Sequence, residues 1–219
     1  MIDYQAIFLE RLKTFLPREL ARVELEALEI MQKLINQHDW DILDEMFIGM
    51  LETYDQEESE PGCCQVERFR SDMTIFVPSF QSEIRRSLER AADVAATNES
   101  VRSLWYNFEH GGDYGGKSQL VLTNDYSERE DFYAPVSEHW LGSKIKGHPR
   151  FRLPKITLDI YSYVNFKCKG AVEMSILMRA HLNSRIAVAV CRTLEEIGGI
   201  NVPVVISRST YNPVVYRGG

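Results

Sequence analysis

The stretch Leu104-Trp-Tyr-Asn-Phe-Glu-His-Gly-Gly-Asp-Tyr-Gly-Gly-Lys-Ser-Gln-Leu-Val-Leu-Thr-Asn124 decides the fold. Its flanks, Arg102–Glu109 and Gln119–Thr123, are rich in aromatic and β-branched residues and are expected to be strands. Between them, Gly111, Gly116, Lys117 and Ser118 match the phosphate-loop pattern GxxxxGK[ST]. In that loop glycines let backbone N–H groups approach phosphate, lysine reaches the outer phosphates and the hydroxyl holds Mg²⁺. A true phosphate loop must also open a helix whose N-terminus faces the anion. Here only six strand-like residues follow before Asp125-Tyr-Ser, with no helical stripe beyond them. Leu158-Asp159 mimics a Mg²⁺-binding strand end, yet Asp159 is expected inside a strand. The roughly 110 residues from the loop onward are also few for a sheet of alternating βα units. The segment therefore reads as a long hairpin loop, with nucleotide binding as the alternative.

Upstream, the spacing is helical. Phe8, Leu9, Leu12, Phe15 and Leu16 follow an Asp3 cap, and Pro17 suits the first turn of a second helix carrying Leu20, Val23, Ala27, Ile30, Met31 and Leu34. Asp39 is expected to cap a third helix with the stripe Trp40, Leu43, Phe47, Met50, Leu51 and Tyr54. An acidic loop, Asp55–Glu60, then ends at Pro61-Gly62. Short strands are expected at Gln65–Arg70 and Met73–Val77, and a helix from Pro78-Ser79 to about Thr97. Downstream, residues 124–150 are polar and aromatic-studded. A strand is expected at Ile156–Phe166 and a long helix at Ala171–Ile197, stopped by Gly198-Gly199, with Asn183-Ser184 weakening its middle. Val202–Ser207 is expected to be a strand and Pro213–Tyr216 another. The order fits an α+β fold: a helical N-terminal layer packed on a mostly antiparallel or mixed sheet, with a long C-terminal helix. Residues 1–60 form the helical region and 61–219 the α+β domain.

The chain has 219 residues, 44% hydrophobic and 26% charged, which excludes disordered and fibrous classes. No apolar run is long enough to span a bilayer and the N-terminus has no basic leader, so a cytoplasmic protein with no membrane association is expected. Cys63, Cys64, Cys168 and Cys191 include no CxxC pair and are expected to be reduced thiols, with a vicinal disulfide or metal-binding Cys63-Cys64 as the lesser alternative. The histidines His38, His110, His139, His148 and His181 are scattered, with no HExxH spacing, and read as surface or capping residues; no metal or cofactor is expected. His139 in Glu138-His-Trp140 is the one most suited to line a pocket. The terminal Gly218-Gly219 resembles the tail of a conjugated modifier, but a frayed end explains it more simply.

Charge is the sharper lead. Residues 1–60 hold 5 Lys/Arg against 15 Asp/Glu, residues 61–150 hold 11 against 13, and residues 151–219 hold 9 against 4, within a net of -7. Lys144, Lys146, Arg150, Arg152 and Lys155 form a basic segment. On the last helix Arg185 and Arg192 share a face with His181, so phosphate or RNA binding is one expectation for this set. The simpler expectation is that these cations pair with the acidic N-terminal helices. The leading expectation for function is a non-catalytic protein-binding role of adaptor, regulatory or toxin-neutralising type. Its surface would be the acidic helices or the aromatic loop 124–140, and its partner another protein or a second copy of the chain.

Overall fold

The structure is a computed structural model that describes residues 6, 40–57, 59–108, 118–124, 151, 153–208 and 211–217. The two helices expected before residue 39, the aromatic region 125–150 and His38, His110, His139 and His148 lie outside them. The described elements are α1 (Trp40–Glu57), α2 (Val66–Thr97), β1 (Ser103–Phe108), β2 (Ser118–Thr123), a 3₁₀ turn η1 (Ile160–Tyr163), α3 (Ala171–Glu196), β3 (Val204–Arg208) and β4 (Tyr211–Tyr216). The class is α+β, with a mixed four-stranded sheet and a long C-terminal helix.

α1 forms where the apolar stripe demanded it, and it buries Trp40, Leu43, Met46, Phe47, Met50, Leu51 and Tyr54. Two expectations need correction. Residues 65–77 are not strands: α2 begins at Val66 and runs 32 residues through Pro78. Val66, Phe69, Met73, Phe76, Phe80, Ile84, Leu88, Ala91 and Ala95 are all buried and recur every three or four residues. That continuous stripe outweighs the one backbone bond a proline removes. Residues 156–166 are not a ladder strand either. Ile156, Leu158 and Ile160 alternate inward as a strand would, but their backbone joins no sheet. The segment ends in η1, where the Asp159 carboxylate accepts from the Tyr161 N–H at 3.1 Å.

α3 runs unbroken through Asn183-Ser184, because the Ser184 hydroxyl donates to the His181 carbonyl at 2.7 Å within the helix. Its end is the expected glycine stop. Gly198 and Gly199 have φ of 91° and 84°, and their N–H groups return to Glu195 and Leu194 carbonyls at 3.0 and 2.7 Å.

The sheet order is β2-β1-β3-β4, with β1 antiparallel to β2, β1 parallel to β3 and β3 antiparallel to β4. Pro213 lies in β4, an edge strand, where a missing donor is tolerated. The contacts divide the chain into two compact units: residues 1–76 with 158–186, and 77–157 with 187–219. In the second unit Phe80 meets the ring of Tyr106 edge-on at 6.2 Å, and Tyr106 stacks on Phe108 at 5.7 Å. In the first unit Phe47 and Phe69 pack on the ring of His181.

Candidate functional site

Helical spacing aligns Trp40, Asp44, Phe47 and Leu51 on the inward face of α1, so a carboxylate projects among apolar neighbours. Asp44 meets two side chains of α3 one turn apart. Its Oδ1 lies 2.8 Å from His181 Nε2 and its Oδ2 lies 2.9 Å from an Arg185 guanidinium nitrogen. His181 is only 3% exposed, whereas Asp44 and Arg185 are 27% and 26% exposed. The imidazole stacks on Phe47 and meets Phe69 edge-on, each at 5.9 Å.

This geometry assigns the tautomer. Nε2–H donates to Asp44, so Nδ1 carries the lone pair, and the buried Nδ1 has no hydrogen-bond partner among the described residues. Burial pushes the imidazole below its ordinary value near 6.5 and outweighs the opposing pull of Asp44, while Arg185 and Arg70 push the same way as burial. His181 is therefore neutral at pH 7 and shielded by aromatic rings. The constellation is a clamp between helices rather than an acid–base pair open to a substrate.

Around the clamp, α1 carries six carboxylates and no lysine or arginine. Asp44 is engaged by Arg185 and Glu52 by Arg70. Asp41, Ile42 and Glu45 face solvent together, with Ile42 52% exposed. Elsewhere in the same unit Tyr163 donates to Asp72 Oδ2 at 2.8 Å, and the Arg68 guanidinium lies 5.4 Å above its ring. Burial and that carboxylate push the phenol up to about 12. Tyr161 and Phe166 form an exposed ring pair 5.5 Å apart.

The expected site residues fall as follows. Ser118 opens strand β2, paired with Phe108 across an antiparallel hairpin, and its hydroxyl accepts from the Tyr106 phenol at 3.3 Å. A phosphate loop needs a helix at that point, and strand follows instead. Gly111, Gly116 and Lys117 lie outside the described residues, as do Lys144, Lys146, Arg150, Arg152 and Gly218-Gly219. Lys155 is exposed. Arg192 lies in the other compact unit from His181 and Arg185. His181 is neither a surface nor a capping residue: it is buried, with Nε2 on Asp44. Asp44 is the residue that sequence reasoning missed, although its place on the Trp40–Phe47–Leu51 face was a usable signal. No group of three or more potential metal ligands occurs among the described residues. No helix among them is long and apolar enough to cross a membrane.

No family model, curated protein or solved structure matches this chain.

Proposed function

We propose that this chain is a non-catalytic, cytoplasmic protein-binding protein of adaptor, regulatory or toxin-neutralising type, and that the outer face of α1 meets a basic partner. The observation that carries it is the exposed Ile42 set between Asp41 and Glu45 on a helix with six carboxylates and no base. An apolar centre with a charged rim is how interfaces gain affinity and on-rate together. The pairing of Arg185 with Asp44 supports the same reading, since it commits a cation that RNA would otherwise recruit.

The test is fluorescence anisotropy with a labelled lysine- and arginine-rich peptide. Binding is expected at low salt and should weaken steeply at ~0.5 M salt, where the screening length shrinks to a few ångströms. Ile42→Arg combined with Glu45→Lys should weaken it at least about tenfold with the circular dichroism spectrum unchanged. No binding at low salt, or full binding by the double variant, contradicts the proposal.

A further inference from the structure

Three of the four cysteines meet where two distant loops are sewn together. The chain between α1 and α2 runs beside the segment that precedes α3. Cys64 pairs with Val164 in an antiparallel bridge, the Asn165 N–H donates to the Cys63 carbonyl at 2.8 Å, and the Gln65 N–H donates to the Tyr163 carbonyl at 2.9 Å. Glu60 N–H reaches the Lys169 carbonyl at 3.4 Å. The Cys168 N–H donates to the Asn165 carbonyl at 3.0 Å, and the Cys63 thiol lies 3.9 Å from that same oxygen. The Cys63 thiol is close enough to those of Cys64 and Cys168 for both to act on it electrostatically. All are free thiols.

We propose that Cys63 and Cys168 form a disulfide by exchange with a small-molecule disulfide such as oxidised glutathione, turning a hydrogen-bonded seam into a covalent one. Cys64 and Cys168 are half-buried and Cys63 is buried, so the oxidant meets Cys168 before Cys63. Its thiolate attacks one sulfur of the oxidant, giving a protein–glutathione mixed disulfide and releasing one glutathione thiolate, which takes up the proton. Cys63 then attacks the Cys168 sulfur, the second glutathione leaves as thiol, and the protein disulfide remains. Two protein thiols are oxidised and one glutathione disulfide is reduced to two thiols. Cys64 is the poorer partner, since joining it to Cys63 closes an eight-membered ring across one peptide bond while its bridge to Val164 holds it extended.

Burial also raises the Cys63 thiol above its ordinary value, so closure is slow at neutral pH and speeds up with alkalinity. A thiol of high pKa is a poor leaving group, so the closed seam resists reduction. The bond ties residues about a hundred positions apart and removes much of the unfolded chain's freedom.

The test is incubation of the whole protein with oxidised glutathione, acid quenching and non-reducing peptide mapping. The expected product links the Cys63-Cys64 peptide to the Cys168 peptide, persists in Cys64→Ser, is lost in Cys168→Ser and leaves the buried Cys191 unmodified. Its melting temperature should exceed that of the reduced protein by about 10 °C. A disulfide confined to Cys63 and Cys64, stable glutathione adducts alone, or no reaction at Cys168 would overturn the proposal.

Discussion

Tyr106 and His181 are buried rings in different compact units, and each must place polar atoms where water is absent. Tyr106 has one such atom, and its hydroxyl donates to Ser118 on the adjacent strand. Burial raises its phenol, so it stays neutral throughout the physiological range. His181 has two polar atoms and, among the described residues, finds a partner for one, the Asp44 carboxylate on Nε2. Of these two rings, the imidazole is the one whose charge can change in mildly acidic solution. The Tyr106 ring stays uncharged, whereas protonating His181 would create a buried N–H with no acceptor among the described residues.

Three measurements press on that contrast. Tyr106→Ala should have the largest effect, removing a fully buried ring between Phe80 and Phe108 and lowering unfolding free energy by about 3–5 kcal/mol in denaturant titration. A loss below about 1 kcal/mol would mean the ring is not a keystone of the sheet unit. Asp44→Ala comes next. It strands the His181 Nε2–H without an acceptor and should cost about 1–3 kcal/mol. Arg185 adds little to that cost because it is partly solvated. A neutral outcome would show that His181 takes its hydrogen bond elsewhere.

The smallest effect is the pH dependence. The folded His181 titrates below its unfolded value near 6.5, so the unfolded chain takes up the proton first as pH falls. The contribution is fully present above about 6.5 and is lost progressively below it. Thermal melts from pH 7.5 to 5 should show this fall, and His181→Phe should flatten the part of it that comes from the imidazole. An unchanged slope in that variant would assign the pH dependence to other groups.

Much of this arrangement was legible in the chain. The stripe Trp40–Tyr54, the long helix closed by Gly198-Gly199 and the strands flanking the glycine-rich segment each follow from local spacing and turn chemistry. The failures were of two physical kinds. At Thr74-Ile75-Phe76-Val77 a short apolar, β-branched run looked like a strand, and Pro78 looked like a helix start. The deciding information was the three-and-four spacing that continues on both sides of the proline. At Ile156–Ile160 the alternation was real, but alternating burial alone does not supply a neighbouring strand. The candidate site was half legible. Arg185 and His181 were found as a shared face of one helix, yet their common partner lies 137 residues from His181. Pairing across that distance is set by packing, which no local pattern encodes.

Asp44, from the acidic end of the sequence, meets Arg185 and a neutral, buried His181 from the basic end. Nitrogen-15 NMR of the histidine side chains across a pH titration tests this arrangement most directly. His181 should hold the Nε2–H tautomer at pH 7, keep it through pH 6.5 and change only as the helical unit unfolds in acid. A His181 that titrates near 6.5 like a solvated imidazole, or that carries its proton on Nδ1, would contradict the clamp.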